Sequence, residues 1–210
     1  MIGIKDIKNY EVIYIGDFRL REDWLEFFRT TARKDIYTKF KNFIKEKKTN
    51  IIKVNYDRNI KQNILKKESA RLYFFTLNER IVKIGGSINK GGIIGTLNFY
   101  ENSLTGSPGR PRFIIHLLIA EQLIRNEGEV KIYLSFLPTN IVNYRGFFKD
   151  VSEKIEISEY KIFERRCLDE YKDIVGKYPD WNFQENKDPY PKKLEEIYNF
   201  YQKMRLKKRL

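Results

Sequence analysis

Two side chains that could take part in acid–base chemistry, Tyr73 and Lys83, stand ten positions apart in one short segment. Each lies in a β-prone run, and a polar break at 78–80 separates the runs, so residues 72–87 predict a β-hairpin. Side chains alternate between the two faces of a strand. A loop with an odd number of residues centred on Asn78 therefore places Tyr73 and Lys83 directly opposite each other, whereas a loop with an even number places them on opposite faces of the sheet. If they are neighbours, the lysine charge favours the tyrosine phenolate, which could activate water.

A second pair of polar side chains interrupts the most apolar segment of the chain. Pro111 suits the first turn of a helix, and residues 111–126 predict one helix that is apolar nearly all round. Arg112 and His116 are four positions apart and therefore share one face of it. A guanidinium binds phosphate, and an imidazole with a pKa near 6.5 is a candidate general base. A lone buried histidine is more often a hydrogen-bonded core residue, and an arginine at a helix end is usually solvated, so the spacing alone leaves both interpretations open.

An acidic residue lies on the apolar face of another predicted helix, over residues 160–176. Glu164 stands three, four and seven positions before Cys167, Leu168 and Tyr171. Burial of an unpaired carboxylate is costly, so a cation must lie near it. That cation is either a basic side chain or a divalent metal ion. For the metal we favour Mg²⁺, with Mn²⁺ as the alternative ion, because carboxylate oxygen suits it and no cluster of softer ligands exists.

The order and spacing of these residues resemble the GIY-YIG nuclease family. The family's first motif ends in a tyrosine, here Tyr73, and its second reads Tyr-Ile-Gly, where this chain has Lys-Ile-Gly at 83–85. The lysine resembles a variant found in some type II restriction endonucleases of the family. An Arg-x-x-x-His on the helix after the hairpin and a glutamate on a later helix also fit the family. The resemblance covers residues 70–185 and implies one more site residue, Asn182 or Gln184, of which we favour Asn182.

The resemblance implies hydrolysis of DNA phosphodiester bonds. Glu164 then binds the metal ion, Arg112 and Lys83 stabilise phosphate charge, and either Tyr73 or His116 activates the attacking water. The implied protein is a sequence-specific, type II restriction-like endonuclease that acts on double-stranded DNA. A homodimer on a short, near-palindromic site and a companion DNA methyltransferase are implied with it. A DNA-repair or homing nuclease of the same family is less favoured, because no zinc finger, helix-turn-helix module or long linker is recognisable.

The composition favours a polyanionic partner. The 210 residues include 41 Lys and Arg against 28 Asp and Glu, a formal net charge of +13, which suits nucleic acid first and an anionic membrane surface second. No apolar run approaches the ~20 residues that span a bilayer, and the N-terminus has no apolar signal core. The single cysteine excludes an intrachain disulfide and a multi-cysteine zinc site. We expect a cytoplasmic protein that binds no membrane.

A protein that binds nucleic acid without cleaving it is the main alternative class. Basic helices over 21–47 and 191–209 would then form the binding surface, and Tyr73 and His116 would be core residues. Glu164 discriminates, because a pure binder has no need of a carboxylate on an apolar helical face. The basic side chains assigned to this surface lie opposite the apolar stripe of the first segment and in the C-terminal tail: Arg29, Arg33, Lys34, Lys39, Lys45, Lys47, Lys48, Lys203, Arg205, Lys207, Lys208 and Arg209.

A glycine-rich stretch over residues 85–109 contains seven of the twelve glycines. Because glycine allows close backbone approach and the stretch is long for a turn, we predict a functional loop beside the site, with a plain flexible loop as the alternative. The Walker phosphate-loop pattern fails after Gly91, so nucleoside triphosphate binding is not expected. Six side chains in and around this stretch are candidates for DNA contact: Ser87, Lys90, Thr96, Asn98, Tyr100 and Arg110.

The whole pattern predicts a mixed α/β (α+β) fold, a small antiparallel sheet flanked by helices. The hairpin and a strand over 130–138 form the sheet, and the helices over 111–126 and 160–176 cover it. We expect a single domain over 1–210, with a nuclease core over 70–185, an N-terminal helical addition over 1–69 and a basic C-terminal helix over 186–210. Short strands over 10–16 and 51–54, a helix near 58–68 and an irregular connection over 139–159 complete the prediction.

Overall fold

The computed structural model describes residues 2–30, 35–46, 49–105, 109–125, 127–145, 152–157 and 159–207. Seven residues used in the sequence predictions lie outside these ranges: Arg33, Lys34, Lys47, Lys48, Gly106, Lys208 and Arg209. Within the ranges, no helix combines the length and the apolar character needed to cross a membrane.

Seven strands and eight α-helices are interspersed along the described part of the chain. The strands are β1 (Ile13–Leu20), β2 (Ile52–Tyr56), β3 (Arg71–Leu77), β4 (Arg80–Ser87), β5 (Val130–Phe136), β6 (Asn140–Arg145) and β7 (Ser152–Ile157). The helices are α1 (Glu22–Thr30), α2 (Ile36–Glu46), α3 (Gln62–Lys66), α4 (Gly92–Glu101), α5 (Arg110–Arg125), α6 (Tyr160–Val175), α7 (Phe183–Asn186) and α8 (Lys192–Lys207), with a 3₁₀ turn at Ile4–Asp6 before β1.

The main sheet has five strands in the order β2-β1-β5-β3-β4, and all its neighbours pair antiparallel. The predicted α+β class is confirmed, and the predicted hairpin and third strand form one side of the sheet. Residues 1–69 contain α1 and α2, but they also supply β1 and β2 to the same sheet. The sequence prediction of a helical addition omitted this contribution.

Helices cover both faces of the sheet, because β3 is apolar on both faces. Tyr73 and Phe75 belong to a core formed with α5, α2 and α8. Leu72 and Phe74 belong to a second, smaller core that includes Leu168 of α6. A strand that is buried on both faces reads as a continuous apolar run, which matches the sequence of β3.

The hairpin between β3 and β4 combines a tight turn with a bulge. Asn78 and Glu79 both have positive φ, 50° and 65°, as the commonest two-residue hairpin turns require. An even loop alone would place Tyr73 and Lys83 on opposite faces of the sheet. However, Phe75 pairs with Lys83 and Thr76 pairs with Ile81, so one extra residue is inserted in β4. The bulge restores a common face, on which Tyr73 lies opposite Gly85 rather than opposite Lys83.

The free edge of β4 is covered by the segment after α6. Trp181 donates its backbone N–H to the carbonyl of Val82 at 2.8 Å. The Asn182 side chain accepts from the N–H of Ile84 and donates to the carbonyl of the same residue, each at 3.0 Å. These bonds satisfy the outer groups of an edge strand and thereby protect it from pairing with another chain.

Two segments differ from the sequence prediction. Residues 139–159 were predicted to be irregular, but they contain the two-stranded antiparallel sheet of β6 and β7. The glycine-rich stretch was predicted to be a loop, but ten of its residues form α4. Two of its glycines serve the packing of this helix: Gly92 lies against the backbone of α3, and Gly95 lies against the side chain of Asn89.

Gly92 provides a test of this packing role. Its φ is +67°, and an added Cβ would meet the carbonyl oxygen of Leu65 and lie 2.6 Å from Cα of Lys66. Gly92→Ala should therefore lower the free energy of unfolding by on the order of 2 kcal/mol or more. At the neighbouring Gly91 an added Cβ lies 3.3 Å from its nearest heavy atom, a side-chain oxygen of Asn89. Thermal and denaturant unfolding should show a clearly smaller loss for Gly91→Ala, and equal losses would contradict the packing role.

Candidate active site

A cleft of about 330 Å³ opens at the end of the hairpin farthest from its turn. A narrow recess of about 50 Å³ adjoins it and shares Tyr100 and Arg112 with it. Lys83 and Gln184 lie in the recess. The residues lining the cleft are Tyr73, Gly86, Ser87, Ile88, Asn89, Thr96, Phe99, Tyr100, Arg112 and Tyr160. The structure thus brings the predicted Tyr73, Lys83 and Arg112 into one continuous depression.

A larger groove of about 1,030 Å³ lies at the opposite end of the hairpin, beside the turn residues Asn78 and Glu79. Its charged lining mixes acidic residues such as Asp17 with basic residues such as Arg19 and Lys53. None of the predicted site residues lines it. The cleft, although smaller, is therefore where the predicted chemistry is concentrated.

The Tyr73 side chain lies across Gly85 at the floor of the cleft. A Cβ at Gly85 would overlap the tyrosine ring, so this position requires glycine. The two hydroxyl groups of Tyr73 and Tyr100 are hydrogen-bonded at 2.8 Å. Burial raises the pKa of Tyr73 well above its ordinary value, and Tyr100 and the Glu164 charge raise it further, while Arg112 lowers it. The phenol is therefore protonated in the free protein, and the cation that opposes this is Arg112 rather than the expected Lys83.

Glu164 reaches the same end of the sheet from the first turns of α6 and is half-buried. A Cβ at Gly86 would lie 2.8 Å from Oε2 of Glu164, so this second glycine makes room for the carboxylate. Burial raises the pKa of Glu164, whereas the Gly86 N–H and the charges of Lys83 and Lys161 lower it. The expected cation near the carboxylate is thus partly supplied by Lys83.

Arg112 lies in the first turn of α5 and is exposed to solvent at the cleft. Its guanidinium carbon lies 4.2 Å from the centre of the Phe99 ring. Among the residues that the structure describes, no carboxylate comes within ion-pair distance of it. Its hydrogen-bond donors are therefore available to an anion that enters the cleft.

His116 lies in the core rather than in the cleft, one turn further along α5 than Arg112, and it is fully buried. Its Nδ1 lies 2.7 Å from the carbonyl oxygen of Tyr100, and its Nε2 accepts the backbone N–H of Ile51 at 3.2 Å. Both ring nitrogens are thus used by the backbone, with the proton on Nδ1. Burial lowers the pKa of His116 to about 4. No hydrogen bond between His116 and Tyr73 occurs among the described contacts. Tyr100 lies between them, with its carbonyl bonded to His116 and its hydroxyl bonded to Tyr73.

Asn182 and Gln184 are separated by the structure. Asn182 is buried, and its side-chain amide accepts one hydrogen bond from the backbone of Ile84 and donates one to it. Gln184 is exposed and lines the recess beside Lys83. Of the two alternatives, only Gln184 presents a side chain to the recess, whereas Asn182 fixes the strand that carries Lys83.

The six residues predicted to contact DNA fall into two groups. Ser87 and Thr96 are buried and hydrogen-bonded to each other at 2.6 Å, and Tyr100 is buried with them along the cleft wall. Lys90 and Asn98 are exposed near the cleft. Arg110 is exposed too, but it forms an ion pair with Glu195 at 3.0 Å. The first group shapes the cleft, and the second lies on the surface around it.

The ligands available for a divalent metal ion are few. No group of three His, Cys, Asp or Glu side chains that could hold a metal ion occurs among the described residues. Glu164 supplies one half-buried carboxylate, and the nearby charge of Glu185 raises its pKa. One or two carboxylates suit Mg²⁺, which keeps several waters and takes further oxygen ligands from a phosphate substrate. The residues therefore fit a weakly held magnesium ion and do not fit a closed, structural metal site.

Four residues at the site were not predicted from the sequence in the role that the structure gives them. Phe99, Tyr160 and Glu185 were not among the predicted site residues. Tyr100 was predicted to contact DNA, whereas in the structure its hydroxyl contacts Tyr73. The helical spacing of Thr96 and Tyr100 along the cleft would have been a usable signal, but the glycines around them indicated a loop. Glu185 carried no signal, because it approaches Glu164 only through the fold.

His116 provides a test of its place in the core. Its pKa is about 4 in the folded protein and near 6.5 when unfolded, so the unfolded state binds more protons between these values. Stability from this group is complete above pH 6.5 and falls as the pH drops toward 4. The stability difference between the wild type and His116→Gln should therefore shrink by roughly 3 kcal/mol from pH 7 to pH 4. Urea unfolding measures it, and a difference that does not change with pH would contradict the assignment.

No protein-family model matches this sequence, and no curated protein matches it. Among solved structures, the chain is similar to restriction endonuclease HPY188I in complex with product DNA, at 18% identity and a TM-score of 0.44, over 85% of this chain and 84% of that one. It is also similar to a mutant of bacteriophage T4 EndoII, at 13% identity and a TM-score of 0.47, over 87% of this chain and 99% of that one. At these values we draw no functional conclusion from either likeness.

Proposed function

We propose that this chain is a divalent-metal-dependent endonuclease that hydrolyses phosphodiester bonds in double-stranded DNA. One observation carries the proposal: in a strongly basic chain, a buried phenol and a guanidinium line one cleft, and a half-buried carboxylate lies against Gly86 of the same cleft. Among the described residues, no carboxylate pairs with that guanidinium. The Glu164 charge raises the pKa of Tyr73, and the Arg112 charge lowers it. A pure nucleic-acid binder has no need of a desolvated carboxylate at the place where phosphate would lie.

In this proposal Arg112 binds the scissile phosphate, because it lines the cleft and no carboxylate of the described residues pairs with it. Lys83, in the adjoining recess, adds positive charge beside Glu164. Glu164 would hold Mg²⁺, or Mn²⁺ in its place, which would supply positive charge to the phosphate and to the attacking water. Tyr73 orients that water through its hydroxyl group, since its raised pKa keeps the phenol protonated and able to donate. Tyr100 fixes the Tyr73 hydroxyl at 2.8 Å.

The finer description follows the sequence resemblance to GIY-YIG nucleases. A type II restriction-like enzyme would cut a short, near-palindromic site as a homodimer, since a two-fold dimer matches the symmetry of such a site. The net charge of +13 favours DNA as the polyanion. A companion DNA methyltransferase and a cytoplasmic location belong to the same proposal. His116 is left out of the catalytic set, because both its ring nitrogens are occupied.

The first prediction of this proposal concerns Glu164. Glu164→Gln removes the charge of the carboxylate that lies against Gly86, so cleavage of unmethylated phage DNA with Mg²⁺ should fall by at least ~10²-fold. DNA binding should be retained, because the substitution makes the cleft less negative. Gel electrophoresis of the cleavage products measures the first result, and electrophoretic mobility shift measures the second.

Glu170→Gln is the matched control for this experiment. Glu170 lies on the same helix but is exposed and lines a different groove, so its substitution should leave discrete bands intact. EDTA should abolish the bands of the wild type. Binding without cleavage by the wild type, with every divalent metal tested, would refute the nuclease and leave the nucleic-acid binder as the function.

The second prediction concerns Tyr73. Tyr73→Phe removes only the hydroxyl group that faces Tyr100, and it should lower the single-turnover cleavage rate by on the order of 10²-fold with little change in DNA affinity. Tyr171→Phe is the control, since Tyr171 is a buried tyrosine whose hydroxyl donates to the carbonyl of Ile81 away from the cleft. Tyr171→Phe should lower the free energy of unfolding and leave the cleavage rate unchanged. Equal effects of the two substitutions would contradict a catalytic role for Tyr73.

A further inference from the structure

Phe99 is an aromatic residue of α4 whose ring is 47% exposed, and it lies beside Arg112 in the cleft. The guanidinium carbon of Arg112 lies 4.2 Å from its ring centre. We propose that Phe99 is a positioning residue that holds the Arg112 guanidinium for phosphate by a cation–π contact. This inference rests on the proposed function, in which Arg112 binds the scissile phosphate.

The neighbouring Arg110 shows the contrast. Arg110 forms an ion pair with Glu195 at 3.0 Å, and its guanidinium lies 5.4 Å from the Tyr198 ring centre. A carboxylate that positions an arginine also occupies the donors and cancels the charge needed by a phosphate. An aromatic ring attracts the guanidinium through its face and takes none of the N–H groups lying in the guanidinium plane. The contact with Phe99 thus holds Arg112 in place and leaves its charge and its N–H donors available to a phosphate.

Phe99 lies on the outer side of α4. Its neighbours on this helix, Leu97 and Tyr100, are buried at 0% and 5% exposure, whereas Phe99 is not part of the core. Single exposed apolar side chains are ordinary, so the contact that the ring makes carries the inference, and not its exposure. The contact in the structure is with Arg112, across the space between α4 and α5.

The position of Arg112 matters to more than phosphate. Its charge is the one that lowers the pKa of Tyr73 against burial, Tyr100 and Glu164. A guanidinium that moved freely in solvent would act on the phenol and on the phosphate only part of the time. Holding it against Phe99 therefore aligns two groups of the proposed site at once.

A double-mutant cycle on cleavage tests the inference. Phe99→Leu should lower the single-turnover cleavage rate by about tenfold, with a smaller change in KM, because it releases a group that acts in the transition state. In the Arg112→Ala background, the same substitution should change the rate by less than about twofold. Equal losses in both backgrounds would mean that Phe99 acts on DNA directly and would overturn the inference.

Two further variants separate positioning from general surface effects. Phe99→Tyr keeps an aromatic face and should retain the wild-type rate. Tyr10→Leu removes an aromatic ring of similar exposure, 44%, outside the cleft and should leave the rate unchanged. If Phe99→Tyr loses as much activity as Phe99→Leu, the cation–π contact is not the cause.

A measurement without DNA keeps the inference testable if the proposed function fails. The ring current of Phe99 should shift the side-chain NMR signals of Arg112, which are assigned by their loss in Arg112→Lys. Phe99→Leu should abolish that shift, whereas Tyr10→Leu should preserve it. An unchanged Arg112 signal in Phe99→Leu would overturn the inference, whether or not the protein cleaves DNA. Absence of cleavage by the wild type, with the shift present, would refute the proposed function alone.

Discussion

The bulge in β4 is the constraint on which the site depends. A two-residue turn sets a register that would separate Tyr73 and Lys83 onto opposite faces, and the inserted residue returns them to one face. That register is secured from outside the hairpin. Trp181 and Asn182 bond to the outer edge of β4 at and after the bulge. A segment about 100 residues after the hairpin thus determines which side chains reach the cleft.

Desolvation and charge act against each other within the site. Burial raises the pKa of both Tyr73 and Glu164, and the Glu164 charge raises that of the phenol further. The charge of Arg112 opposes the shift in the pKa of Tyr73, and the charge of Lys83 opposes the shift in that of Glu164. A partly buried carboxylate attracts additional positive charge when neighbouring basic side chains neutralise it only in part. This property makes the site a suitable place for a metal ion held jointly with a phosphate.

Local sequence patterns predicted the features that depend only on residues close together in the chain. The hairpin followed from β-prone runs around a polar break, and the apolar spacing of α6 placed Glu164 on an inner face. Tertiary contacts decided the rest. Whether His116 faced a site or the core depended on the backbone of Ile51 and Tyr100, which no spacing reveals. Glycines that allow α4 to pack on α3 looked, in sequence, like the glycines of a loop.

His116 illustrates how a site residue and a core residue differ. It shares a helical face with Arg112, as the four-residue spacing predicted, but one helical turn moves it from the surface to the interior. Its Nδ1 bonds to the carbonyl of Tyr100, whose hydroxyl in turn bonds to Tyr73. The imidazole therefore acts on the phenol only by fixing the residue between them. Protonation of His116 would put a charge into the core beneath α4, which disturbs the fold before it disturbs any proton transfer.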